Sequence, residues 1–305
     1  MNAKTIAIFG LKVIALTVIL FLCFIVAAII SGVSTPPAAG PRTADTRAPF
    51  LILLLVSLLE AAVLAYLILR SRWSGWKLIG AVFLAFYGLS TIVTQIESVV
   101  YLPTQLPPGL IPKLFVMGAI TAALFSPVSV LIMGKFRQTL TQSGPNLRLV
   151  MPAGEWVWKL ALITIACLML YYGFGYFIAW KNPAVREYYG GTDPGSFFAQ
   201  LGQIWTATPW MFPFQALRAM LWTAFALPII RMHKGRSWEV ALAVGLLFAV
   251  WSSQLLLPNP YMPEVVAHTH LVETASSNFL LGCFIGWLMC QHHSSLRDWF
   301  GRATH

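Results

Sequence analysis

Charged side chains are scarce in this sequence: Asp, Glu, Lys and Arg make up 10% of its 305 residues, whereas 58% are hydrophobic. A soluble domain carries roughly 25% charged residues. So much apolar side-chain surface does not fit inside one globular core, and lipid must surround most of it. The low charge therefore excludes an ordinary soluble domain and predicts an integral membrane protein whose main partner is the lipid bilayer.

Cysteines and recognisable motifs are also few. The cysteines Cys23, Cys167, Cys283 and Cys290 all lie within apolar runs. Their spacing gives neither a disulfide framework nor a CxxC metal motif, so we interpret them as small apolar residues at helix interfaces. No phosphate-binding loop, haem ligation pattern or flavin fingerprint is present. No family is recognised from the sequence.

Acidic residues are half as numerous as basic ones, ten against twenty, which gives a net charge of +10. In a soluble protein such a charge would point towards nucleic acid. Here the basic residues are spread over particular loops, and no basic module with interleaved aromatic residues is present. We therefore expect no nucleic-acid binding, and we interpret the charge as a signal of membrane orientation.

Long apolar runs, in contrast, are abundant. The first begins at Val13 and continues for about 20 residues, longer than the ~7–15 of a cleaved signal peptide, so we expect a retained membrane helix. Because hydrocarbon offers the backbone no hydrogen-bond partners, each run long enough to cross should be a helix. The sequence predicts an all-α integral membrane protein with about eight transmembrane helices, the other seven at 49–70, 76–97, 113–134, 157–180, 211–231, 238–257 and 269–291.

The basic residues are distributed unevenly between alternate gaps. One set of gaps holds five of the twenty basic residues and Arg218 lies within a span, which leaves fourteen for the other set. Cytoplasmic loops carry the excess of Lys and Arg. We therefore expect both termini to be cytoplasmic and the chain to lie in the cell (inner) membrane. The five on the opposite side are Arg42, Arg47, Lys113, Lys181 and Arg186.

The two halves of the chain, 1–150 and 151–305, resemble each other. "KVIALTVIL" at 12–20 is similar to "KLALITIAC" at 159–167, and a later match aligns Trp76 with Trp238. Four helices per half would give a parallel repeat, as between the halves of some transporters. Chance similarity is the alternative, because membrane helices use a narrow set of residues.

The largest gap on the side with few basic residues is 181–210. Apolar residues at helical spacing, among them Phe197, Phe198 and Trp205, predict a short interfacial helix there. A connecting loop with an aromatic anchor is the alternative. The preceding run "YYGFGY" at 171–176 is interpreted as close helix packing with interfacial tyrosines rather than as a ligand cage.

Ionisable residues within spans are costly and are functional candidates by default. Glu60 lies eleven residues into its span, about 16 Å deep, where it is expected either to pair with Arg218 or to be neutral. The predicted topology brings the other candidates into the outer half of the membrane, although they come from segments far apart in sequence. These are Gln95, Glu97, Arg218, Gln254, His268, His270 and Glu273.

Three interpretations of this cluster remain open. His270, Glu273 and Glu97, with His268, offer ligands for a divalent metal such as zinc, although "HTHLVE" does not match a known metal motif. Alternatively, His270 and Glu273 share one helix face and handle a proton or substrate, with Arg218 as counter-ion or anion clamp. The third interpretation is structural: a glutamate pairs with Arg218 and holds helices together.

Few polar residues are expected in the inner half of the membrane, which counts against a full translocation path and favours a one-sided site. From the outward-facing ionisable cluster, the sequence predicts a small-molecule or proton-linked transporter or sensor. An intramembrane or lipid-facing metal-dependent hydrolase is the first alternative. A structural or assembly subunit of a membrane complex is the second.

Overall fold

The computed structural model describes residues 2–33, 48–137 and 146–291. Apart from one isolated bridge between Ser71 and His233, its regular structure in these ranges is helical. The basic residues Arg42, Arg47, Arg297 and Arg302, which were counted for the orientation, lie outside the described residues.

The helices follow the apolar runs. Two π-helical turns, Gly88–Val93 and Gly175–Ala179, continue the α-helices that end at Tyr87 and Phe174, and a 3-10 turn, Trp251–Leu256, continues the one that ends at Val250. In chain order the helices are α1 (Ala3–Ser31), α2 (Ala48–Leu69), α3 (Gly75–Tyr87), α4 (Thr94–Tyr101), α5 (Leu110–Ile132), α6 (Ala153–Phe174), α7 (Pro183–Tyr188), α8 (Phe197–Ala207), α9 (Met211–Met232), α10 (Ser237–Val250) and α11 (Glu264–Leu288).

Eight helical segments in the described ranges are long and apolar enough to cross a membrane. This confirms the predicted number of spans and the all-α multi-pass class. Most of the bounds differ from the predicted ones by a few residues in either direction: the third span was predicted at 76–97 and extends over Gly75–Tyr101, whereas the last was predicted at 269–291 and covers Glu264–Leu288. The predicted short helix in 181–210 is present as α8, and its contact with a membrane surface stays a prediction.

The bundle is held together by a small set of helix pairs. In the first half α1 packs against α2 and α5, and α3 packs against α5. In the second half α6 packs against α9 and α11, and α10 packs against α11 along most of its length. Contacts of α3 with α9 and of α2 with α10 join the halves.

The α10–α11 interface is close because both helices present glycine. A Cβ atom on Gly282 would lie 2.6 Å from the Val244 carbonyl oxygen, and one on Gly286 would lie 2.8 Å from the Ala241 Cα. Small residues let membrane helices approach until their backbones touch. This interface fixes α11, which carries His270 and Glu273.

The connection between α2 and α3 and the connection between α9 and α10 lie at the same end of the bundle, which we call the basic end. The Arg72 backbone N–H donates to the Met232 carbonyl at 2.7 Å, and the Lys234 N–H donates to the Arg70 carbonyl at 2.8 Å. These two hydrogen bonds flank the Ser71–His233 bridge. They tie the two halves together at this end.

Candidate functional site

A cavity of about 940 Å³ lies at the other end of the bundle, which we call the cavity end. Its wall includes parts of α4, the π-helical end of α6, α7 and the segment after it, α8, α9, the 3-10 turn after α10 and α11. Four of the predicted site residues line it: Glu97, Gln254, His270 and Glu273. Segments far apart in sequence therefore converge here, as the predicted topology required.

Arg218 lies behind the wall of this cavity. Its guanidinium is nearly fully buried in α9 and donates to the Glu97 carboxylate and to the Gln215 side-chain oxygen. Gln215 in turn donates through Nε2 to the Tyr101 hydroxyl at 2.7 Å. The ion pair joins α4 to α9, as the structural interpretation predicted, and it also fixes the Glu97 carboxylate at the cavity wall.

Glu60 does not pair with Arg218, so that alternative is wrong. Glu60 is fully buried, and its Oε1 accepts a hydrogen bond from Gln254 Nε2 at 3.0 Å. The other carboxylate oxygen, Oε2, has no hydrogen-bond partner in the part of the chain that the structure describes. Because Gln254 lines the cavity, Glu60 is separated from it by one side chain.

His270 and Glu273 form a hydrogen-bonded pair on one face of α11. His270 Nδ1 lies 2.7 Å from Glu273 Oε2, and the Tyr189 hydroxyl lies 3.2 Å from His270 Nε2. Burial raises the pKa of Tyr189, so its hydroxyl stays protonated and is able to donate. With Tyr189 donating to Nε2, the neutral ring carries its proton on Nδ1 and donates to Glu273.

Two predicted residues lie away from this arrangement. His268 is more than half exposed, and its Nε2 lies 3.9 Å from Glu264 Oε1, one helical turn before it on α11. Gln95 does not line the cavity, and its side-chain oxygen is buried without a hydrogen-bond partner among the residues described. The site is therefore narrower than the predicted cluster.

The arrangement of donors offers little to a metal ion. Within residues 2–33, 48–137 and 146–291, no group of three or more His, Cys, Asp or Glu side chains is placed to hold one. A catalytic zinc site needs three protein ligands. His270 and Glu273 supply two groups that already bond each other, while Glu97 bonds Arg218.

The aromatic part of the site was missed in the sequence. The cavity is lined by Tyr171, Tyr172, Gly175 and Tyr176 of the run interpreted as helix packing. The π-helical turn that begins at Gly175 widens the helix here. π-helical turns often occur at functional sites. However, nothing in "YYGFGY" itself indicates such a turn, so the sequence did not reveal this part of the site.

Comparison with known proteins adds no assignment. No protein-family model, no curated protein and no solved structure matches the chain. What is established is a multi-pass membrane protein with eight candidate spans and a cavity at one end that holds two polar pairs.

Proposed function

We propose that this chain is a proton-linked small-molecule transporter or sensor whose ligand enters the cavity from outside the cell. The observation that carries the proposal is that Glu97, His270 and Glu273 line one cavity although they come from distant parts of the sequence. Ligand sites in membrane bundles are built from such intramembrane ionisable groups. A volume of about 940 Å³ is in the range of drug-sized ligands.

The excess of basic residues supports an orientation with the basic end and both termini in the cytoplasm. Fourteen of the twenty Lys and Arg residues belong to that side. The cavity end then faces outwards in the cell (inner) membrane. A polar lining that is restricted to the outer half of the membrane suits either a sensor or the outward-facing state of a transporter.

A parallel repeat of residues 1–150 and 151–305 is part of this proposal, and the helix packing supports it. The α1–α2, α1–α5 and α3–α5 contacts of the first half have counterparts in α6–α9, α6–α11 and α10–α11. Across the halves, α3–α9 corresponds to α10–α2. The two hydrogen bonds that flank the Ser71–His233 bridge also exchange under this correspondence.

Glu60 is the proposed proton site. An ionised carboxylate buried in a membrane without a cation partner is costly, and no ion pair involves Glu60 in the described ranges. Its hydrogen bond with Gln254 gives a short path to the cavity. A ligand that contacts Gln254 would therefore change the protonation of Glu60, and the protonation of Glu60 would change the binding of that ligand.

A pair of glycine variants tests the ligand site. Gly175 lines the cavity, and a Cβ there would lie 3.5 Å from Glu273 Oε1, whereas a Cβ on Gly173 meets nothing within 4 Å. Ligands are first identified as compounds that raise the melting temperature of the wild type in nanodiscs. We expect this rise to disappear in Gly175→Leu and to persist in Gly173→Leu. Equal binding by both variants would place the ligand elsewhere and overturn the proposal.

Proteoliposomes with an internal pH dye test the proton linkage. We expect such a ligand to cause proton movement in the wild type, and we expect Glu60→Gln to bind the ligand while the proton signal disappears. Glu264→Gln, which changes a carboxylate that is exposed and outside the cavity, is the matched control. A proton signal that persists in Glu60→Gln would remove Glu60 from the proposal.

A further inference from the structure

The charge of the cavity wall is opposite to the charge of the chain. The described residues that line the cavity include two carboxylates, Glu97 and Glu273, and one imidazole, His270, but no lysine or arginine. The whole chain carries twenty basic and ten acidic residues. The charged groups of the wall itself are therefore acidic or titratable, whereas the nearby cations lie behind the lining.

The negative charge is only partly balanced. Arg218 neutralises Glu97 from behind the wall. Glu273 has His270 as its partner, which balances a charge only when the imidazole is protonated. With neutral His270, the group of Glu97, Arg218 and Glu273 carries one net negative charge beside the cavity. Lys181 is a second cation near the wall, and its Nζ donates to the Tyr176 hydroxyl at 3.3 Å.

Aromatic rings form much of the remaining wall. Tryptophan is the ring that attracts a cation most strongly, and the attraction is larger when the cation has lost its water. Two of these rings are held in place by packing: Trp251 stacks on Phe86 with centroids 4.9 Å apart, and Trp222 packs on Phe248 at 4.4 Å. The tryptophans of the wall are Trp180, Trp210, Trp222 and Trp251.

The size of the cavity excludes a bare ion as its full occupant. About 940 Å³ lies near the upper end of the ~300–1,000 Å³ typical of sites for organic ligands. The wall combines these aromatic rings with amide and hydroxyl side chains such as those of Gln254, Thr274 and Asn278. This composition suits a ligand that is mainly apolar and carries a polar group.

From these observations we infer that the cavity binds a bulky organic cation, with Glu273 as its counter-ion and the tryptophan faces around its apolar groups. The inference rests on the proposed function and names its ligand class. Because His270 and the ligand both use the Glu273 carboxylate, a protonated His270 competes with the cation. The other groups that face His270 are the Tyr189 hydroxyl and the Glu97 carboxylate.

Two probes of the same shape and opposite charge test this inference. Tetraphenylphosphonium and tetraphenylborate are titrated into protein in nanodiscs, with empty nanodiscs as the baseline and tryptophan fluorescence as the readout. We expect the cation to bind and the anion not to bind. Tighter binding of the anion would overturn the inference.

Variants locate the counter-ion. Glu273→Gln should weaken tetraphenylphosphonium binding at least tenfold, whereas Glu264→Gln should leave it unchanged. His270→Gln should remove the loss of affinity that the wild type is expected to show at acid pH. An unchanged affinity in Glu273→Gln, in a variant whose melting temperature shows that it is folded, would contradict the inference.

The outcomes also separate the ligand class from the function. If neither probe binds but neutral compounds bind in a manner sensitive to Gly175→Leu, the ligand class is wrong and the proposed function stands. If no compound binds to the wild type, both the ligand class and the proposed function are wrong.

Discussion

The two ends of the bundle use the same residue types for different purposes. At the basic end, Arg148 donates to the backbone carbonyls of His233 and Gly235, and Lys135 Nζ donates to the Ser71 carbonyl at 3.0 Å. Arg148 and Lys135 therefore stabilise the loops at this end by donating to backbone carbonyl oxygens. At the cavity end, charged groups bond other side chains and leave one face towards a cavity, as Glu97 does with Arg218.

This difference distinguishes a structural use of charge from a binding use. A buried polar network whose groups bond one another and the backbone makes the fold rigid. A network whose side chains line a cavity, as Glu97, His270 and Glu273 do, leaves surface that a ligand is able to contact. Substitutions at the basic end should therefore change stability, and those at the cavity end should change binding.

The largest effect on stability is expected from Lys159→Met at the basic end. Lys159 is fully buried, lies 2.7 Å from Glu155 and donates to the Gln291 carbonyl. Removing one partner of a buried ion pair costs about 3–5 kcal/mol. We expect a loss of that size in the free energy of unfolding, measured by denaturant titration in detergent, with tetraphenylphosphonium affinity unchanged in the folded fraction.

The control for this prediction removes both charges. In Glu155→Leu/Lys159→Met the desolvation cost of each ion disappears, so the double variant should recover much of the lost stability. A double variant as unstable as Lys159→Met would mean that the Gln291 hydrogen bond, rather than the ion pair, stabilises this end.

A smaller, pH-dependent effect is expected at His233, in the loop between α9 and α10. Burial, reinforced by the positive charges of Arg70, Arg148 and Arg72 against the opposing charge of Glu239, lowers the pKa of His233 to about 4. The unfolded chain therefore takes up the proton first. Stability should be fully present above pH ~6.5 and should fall as the pH drops towards 4, by up to about 3 kcal/mol.

The control for His233 exploits its hydrogen bond. His233 Nδ1 accepts from the Gly235 backbone N–H at 2.9 Å, and the carbonyl oxygen of asparagine is able to replace this acceptor. His233→Asn should therefore keep most of the stability at pH 7 and flatten the acid loss. An acid loss equal to that of the wild type would assign the effect to another group.

The number and approximate positions of the spans were predictable from the sequence because they depend on hydrophobic length. Runs of about 20 apolar residues give the eight spans, and their alternation brought Glu97, His270 and Glu273 to one end. The partners were not predictable, since the choice of Glu97 over Glu60 for Arg218 depends on how α4 and α9 pack. The aromatic wall was missed because Tyr171 and Tyr176 also fit simple helix packing.

The smallest effect is expected from His268, and it sharpens the comparison within a single helix. His268 and His270 are two residues apart on α11, so about 200° separates their faces. His268 points away from the cavity and lies 3.9 Å from an exposed glutamate, and an exposed pair is worth only about 0.2–1 kcal/mol. His268→Ala should therefore leave stability and tetraphenylphosphonium binding almost unchanged, whereas His270→Ala should change the pH dependence of binding. If His268→Ala altered that pH dependence as much as His270→Ala did, the proton response would belong to the helix end as a whole. It would then not be specific to His270, which faces the cavity.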